Sequence, residues 1–115
     1  MSVTIFHNPK CSKSRQTLEL LEQRGLTPAI IKYLKTPPTA KKLKEILTQL
    51  GLAPRDLMRK KEAIYAECDL GSPDLSDEDL IGFMIKHPIL IERPIVLANG
   101  KAALGRPPEQ VLEIL

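Results

Sequence analysis

The sequence predicts an α/β fold in which a βαβ unit and a ββα unit frame a helical insertion, about 36–88, within a single domain spanning 1–115. Three observations carry this. Short β-branched or apolar runs cluster near the two ends of the chain, while helical periodicity fills the middle. With 115 residues, 43% of them apolar, the chain can bury one real core and is too short to divide comfortably into two.

Val3-Thr4-Ile5-Phe6 reads as the first strand. A loop at Pro9 leads into a helix over 15–24, with Leu18 and Leu21 on one face and Gly25 placed to end it. Pro28 introduces a second strand over 29–33, and a strand–helix–strand crossover of this length favours parallel pairing. Thr36-Pro37-Pro38 marks the start of the insertion. There Thr39 caps a helix whose Leu43, Ile46, Leu47 and Leu50 fall at i, i+3, i+4 and i+7, ending at Gly51. Lys41, Lys42 and Lys44 lie largely off that stripe and read as a solvated face rather than a nucleic-acid patch. Ser76 and Asp79 form a capping box, and Leu75 is placed to staple against Leu80. Leu80, Phe83, Met84 and His87 make another stripe, stopped by Pro88. Near the end, Asn99-Gly100 between two apolar runs signals a hairpin. Arg106-Pro107-Pro108 then opens a last helix with Val111, Leu112 and Leu115 as its apolar stripe. This order is that of a thioredoxin-like fold carrying an insertion.

No run of about 18 apolar residues exists, and the N-terminus reaches polar His7 after a few apolar residues, so neither a membrane span nor a signal peptide is expected. A soluble, cytoplasmic protein is the expectation. Two cysteines make no disulfide scaffold, and Cys11 and Cys68 are too far apart for a metal-ligand spacing, so any cysteine chemistry is reactive rather than structural. A net charge of +3 biases the chain toward small anions or acidic surfaces, and 3% aromatic content argues against base-stacking platforms for nucleic acid.

The run H-N-P-K-C-S-K-S-R, residues 7–15, places Cys11 between a histidine and a helix start. A thiol must lose its proton to act, and a helix N-terminus with nearby cations stabilises the anion. The backbone N–H groups of Ser12 to Ser14 lack intrahelical partners there, and Lys10, Lys13 and Arg15 add positive potential. His7, coming off the first strand on the loop's side, is placed to ionise the thiol or to hold the loop, with the imidazole charged or neutral. Ser14 makes the motif C-x-x-S, so no local dithiol can close and a second thiol must come from elsewhere; glutathione backed by a glutaredoxin is the natural cytosolic donor. Cys68 is a weaker candidate because Glu67 and Asp69 flank it. Arg59, Arg93 and Arg106 complete the set. Each alone reads more readily as a surface charge, but jointly with a thiolate a fork of guanidinium groups is what a tetrahedral oxyanion requires.

These residues resemble the glutaredoxin-coupled arsenate reductases of bacteria, over essentially the whole chain. The resemblance rests on H-N-P-K-C-S-K-S-R, L-M-R-K-K, H-P-I-L-I-E-R-P-I-V and G-R-P-P-E-Q-V-L, in that order. It is closer to a chromosomal subgroup than to plasmid-borne members. It implies a thioredoxin-like fold with Cys11 as nucleophile, His7 as the residue that lowers its pKa, and Arg59, Arg93 and Arg106 as oxyanion-binding groups. Ser14, Asn8 and Ser12 fall in supporting positions, and Pro94 falls where such folds carry a cis proline facing the active cysteine. The implied reaction converts arsenate to arsenite with glutathione as co-substrate and glutaredoxin as partner, without a metal or bound organic cofactor.

Two other functions use parts of the same pattern. A glutathione-dependent thiol-disulfide reductase or transferase needs Cys11 but not three arginines. A redox-linked regulator that binds RNA polymerase typically switches through C-x-x-C, which Ser14 removes.

Overall fold

Val3–Phe6 (β1), Ala29–Ile31 (β2), Ile95–Ala98 (β3) and Lys101–Leu104 (β4) form one sheet in the order β2-β1-β3-β4 in the computed structural model, which describes residues 2–115. β1 and β2 run parallel, joined through helix α1 (Ser12–Gln23), and the pairs β1–β3 and β3–β4 are antiparallel. The helix starts earlier than its apolar pattern indicates, with Cys11 as its N-cap. Strand β2 is shorter than the apolar run that announces it, ending at Ile31.

Register decides where the chemistry lies. Phe6 pairs with Ile31 on one side and with Ile95 on the other, and Ile95 pairs with Leu104. The residues just beyond these pairs therefore emerge at one end of the sheet: His7 after β1, Arg93-Pro94 before β3, and Gly105-Arg106 after β4. Asn99 and Gly100 close the β3–β4 hairpin with φ of 55° and 73°, the left-handed geometry that a two-residue turn requires. Asn99 also donates from Nδ2 to the Ile114 carbonyl at 2.8 Å, tying the hairpin to the chain end.

The core of this unit joins Val3 and Ile5 of β1, Leu21 of α1, Val96 and Ala98 of β3, and Val111 and Ile114. The last helical segment, Pro108–Ile114, is a 3-10 helix rather than the expected α-helix. Its buried residues are Pro108, Val111 and Ile114, whereas Leu112 and Leu115 are only half-buried. A spacing of three matches the 3-10 repeat, so the segment presents one straight apolar edge instead of a 3.6-residue stripe.

This unit comprises the residues up to 36 together with 93–115; residues 37–92 form a second compact unit. In that second unit Ala40–Leu50 is α2, Ala63–Glu67 is α3 and Asp77–Lys86 is α4, with 3-10 turns at Pro54–Leu57 and Pro88–Leu90. Thr39 accepts the Lys42 N–H, and Gly51 ends α2 in the left-handed conformation. Leu43, Ile46 and Leu47 are buried, and the three lysines of α2 are exposed, Lys44 pairing with Glu78 at 2.7 Å. Helix α4 buries Leu80, Ile81 and Met84, while Phe83 and His87 are half-buried, a face rotated from the one its spacing suggests. Ser76 and Asp79 close the expected capping box reciprocally at 3.2 and 3.0 Å. Ser76→Ala is expected to lower the unfolding free energy by about 1 kcal/mol, as measured by denaturant titration. Among the described residues no helix is long and apolar enough to cross a membrane.

Candidate active site

The loop 7–11 is pinned at both ends by its own polar groups. The His7 N–H donates to the Ile31 carbonyl at 2.8 Å, continuing the β1–β2 ladder by one residue. The Cys11 N–H donates to the Asn8 carbonyl, and the Arg15 N–H to the Cys11 carbonyl, each at 3.0 Å. Asn8 Oδ1 accepts the Lys10 N–H, and the Asn8 N–H reaches Ser14 Oγ, both at 3.0 Å. Cys11 is thereby fixed in extended geometry at the mouth of α1, whose first turn holds no acidic residue and whose N-cap offers no side-chain acceptor. The open N–H groups face the sulfur instead.

Two guanidinium groups converge on that sulfur. Arg106 Nη2 stands 3.7 Å from Cys11 Sγ, and the Arg93 guanidinium acts on the same thiol, drawing its pKa down. Arg106 is itself aimed by a 2.8 Å bond from its Nε to the Arg93 carbonyl. Both arginines precede prolines in cis linkage, Arg93-Pro94 as the resemblance implies and Arg106-Pro107 in addition. Burial pushes the Cys11 thiol up, but the Ser14 N–H, the Arg93 guanidinium and the Lys13 N–H outweigh it and hold the thiol below its ordinary value. Half-exposed, thiolate-favouring and flanked by cations, Cys11 has the setting of a nucleophile rather than of a packing residue.

His7 comes off β1 beside the loop and is tied to the first turn of α1. Its imidazole is buried, 5% exposed, and its Nδ1 lies 2.6 Å from Ser14 Oγ. Burial first, and then Lys32 and Arg15, press its pKa below the ordinary imidazole value, so the ring is neutral at pH 7. The cationic help to Cys11 comes from guanidinium groups, and His7 connects to the sulfur through Ser14. Ser14 Oγ thus accepts from the Asn8 N–H and shares a second hydrogen bond with His7 Nδ1. Ser14 is fully buried. Ser14→Ala strips a hydrogen-bond partner from two buried groups, and a loss of about 1–3 kcal/mol is expected in denaturant unfolding.

Ser12 opens α1 on its exposed side, and Pro94 is buried with its carbonyl accepting the Gly105 N–H at 2.9 Å. Arg59 belongs to the second unit. There its Nη1 bonds Glu92 at 2.8 Å and its Nε bonds Glu62 at 3.3 Å. Burial works against its charge, and Glu92 and Glu62 more than compensate, holding it above the usual guanidinium value. The segment bearing it is fixed by an antiparallel bridge between Met58 and Ile91, with the Arg59 N–H donating to the Leu90 carbonyl at 2.7 Å. Cys68 ends α3 in the same unit, and His87 ends α4.

Sequence reasoning passed over Thr17. Thr17 is fully buried and donates to the Lys13 carbonyl at 2.8 Å. Its spacing of three from Ser14 marks one buried polar edge of α1, next to the apolar face of Leu18 and Leu21. Gly105 stands out in the sequence as a departure from plasmid-borne members of the resembled family, which carry a cysteine before this arginine.

A cysteine biased toward its thiolate at a helix N-terminus, with two arginines brought to it by the ends of a β2-β1-β3-β4 sheet, defines a thiol-dependent oxidoreductase of thioredoxin-like fold. The ArsC family profile matches residues 6–114, and the chain belongs to that family. An arsenate reductase of Neisseria meningitidis is 52% identical over 114 residues, covering 98% of this chain and 97% of the relative. One of Haemophilus influenzae is 48% identical, with both chains covered fully. The solved structure of an arsenate reductase from Vibrio cholerae superposes with a TM-score of 0.98 at 59% identity, covering 100% of this chain and 98% of the other.

Proposed function

We propose that this chain reduces arsenate to arsenite at Cys11 in the cytoplasm, with glutathione as co-substrate and a glutaredoxin completing the cycle. The observation that carries the reading is the convergence of Arg93 and Arg106 on a sulfur already favoured as thiolate. A simple thiol transferase has no use for paired guanidinium groups; a tetrahedral dianion does.

The Cys11 thiolate attacks arsenic while the arginines and the open N–H groups of α1 hold the oxyanion, and one arsenic oxygen leaves as water. Glutathione sulfur then attacks Cys11 sulfur; the S–As bond breaks, its electron pair stays on arsenic, and arsenite departs. Two electrons have passed to arsenic, and the two sulfurs remain as a mixed disulfide that glutaredoxin reduces. No metal or bound organic cofactor enters this scheme. Ser14, Asn8 and Ser12 shape the loop and the donor end of the helix, His7 steadies Ser14, and Pro94 seats Arg93. The resemblance adds Arg59 as a third oxyanion donor, a role in which it must share its charge with Glu62 and Glu92.

The test is turnover of arsenate by the purified chain with glutathione, glutaredoxin and their NADPH-linked reductase supplied. Arsenite formation coupled to NADPH oxidation is expected, and Cys68→Ser retains most of it. Absence of arsenate turnover, with efficient reduction of a glutathionylated peptide, gives the site to the thiol transferase reading instead.

A further inference from the structure

The second cation at Cys11 is delivered by a segment with almost no room to move. Gly105 immediately precedes Arg106, and its N–H is held by the Pro94 carbonyl at 2.9 Å. A Cβ built on Gly105 overlaps Thr17 Oγ1 and stands 2.6 Å from Pro94 Cγ and 3.1 Å from Thr17 Cγ2. Contacts this short are not tolerated between real side chains, so the backbone at 105 lies against α1 because it carries none. Thr17 is not free to swing aside. It is fully buried, and its hydroxyl is spent on the Lys13 carbonyl one turn back. Lys13 and Ser14, which lend N–H groups to the sulfur, belong to that same turn.

We propose that Gly105 and Thr17 form a positioning pair: the bare backbone at 105, seated against Thr17, sets how close the Arg106 guanidinium comes to the Cys11 sulfur. At 3.7 Å the Arg106–Cys11 contact is at the long end of a useful interaction, where a displacement of a few tenths of an ångström removes much of it. Neither residue touches the sulfur. Their effect passes through Arg106, on one side of the site, and through the first turn of α1, on the other. The inference rests on Cys11 and Arg106 as the anion-binding centre, but its first readout is the thiol itself and needs no arsenate.

The experiment compares Gly105→Ala with Gly105→Ala/Thr17→Ala and Gly105→Ala/Thr17→Val, all in the full chain with Cys68→Ser so that only Cys11 reports. The pH profile of iodoacetamide alkylation measures the thiolate, and thermal melting follows folding. For Gly105→Ala, alkylation at pH 7 is expected to fall roughly threefold and the KM for arsenate to rise roughly three- to tenfold, the scale of weakening one charge-assisted hydrogen bond. The alanine at 17 opens space on the α1 side, the loop relaxes away from the proline ring, and at least half of each change is recovered. Valine keeps the bulk of threonine and recovers none. The proposal is overturned if Gly105→Ala folds with a wild-type alkylation profile. It is equally overturned if the alanine double variant is no better than the single, whether the single's defect lies in folding or in the thiol, or if valine rescues as well as alanine. A chain that turns over no arsenate at all defeats the functional reading and leaves the alkylation result to decide this one.

Discussion

Cys11→Ser is expected to abolish the proposed glutathione- and glutaredoxin-dependent arsenate reduction, by at least about a thousandfold in kcat. A serine hydroxyl stays protonated at neutral pH under the same donors, and its oxygen cannot form the mixed disulfide through which glutathione closes the cycle. The substitution removes one half-exposed sulfur from a loop whose backbone bonds are made by Asn8 and Arg15, so the fold is expected to survive. Arg93 and Arg106 remain, and calorimetric titration with arsenate should still register binding. Residual turnover above about a tenth of wild type moves the nucleophile elsewhere, and Cys68 becomes the residue to change next.

Losing both site arginines has the next largest effect. Arg93→Ala and Arg106→Ala are each expected to lower kcat/KM for arsenate by roughly a hundredfold, the magnitude of removing one preorganised donor from a developing charge. Arg106→Lys recovers only part of this, because a point charge replaces a planar fork. The same variants change the pH dependence. In the folded wild type the thiol is held below its ordinary value, so activity is present above that lowered value and is lost as pH falls through it. Without Arg93, a cause of the lowering, the loss begins at a higher pH. Linkage gives the matching sign for stability: the thiolate stabilises the fold above the ordinary thiol pKa, and that contribution fades as pH drops through the folded value. Unchanged kinetics and an unchanged acid limb in both variants remove the basis for the oxyanion reading.

Much of this site is legible in the linear chain because its first half is local. A helix N-terminus follows from the pattern of residues 12–23, and with it the unpaired N–H groups that face Cys11. The caps at Thr39 and Ser76 and the turn at Asn99-Gly100 are local in the same sense, set by side chains within three residues of the groups they satisfy. The last helix shows the limit of such reasoning. Its 3-10 form depends on which side of Pro108, Val111 and Ile114 meets the sheet, a contact with residues far away in sequence. His7 makes the same point electrostatically, because its neutral state depends on burial and on Lys32 across the β1–β2 pair.

The sequence by itself determined the strand and helix order, the candidate nucleophile and the donor end of the helix beneath it, since each is written in residues a turn or less apart. Only the tertiary structure decided which cations reach the sulfur and which histidine state stands beside it. Arg93 and Arg106 arrive because the register of β1, β3 and β4 ends all three strands at one edge. Distances between groups far apart in the chain are set by packing, and the pull of a charge on a thiol weakens with that distance.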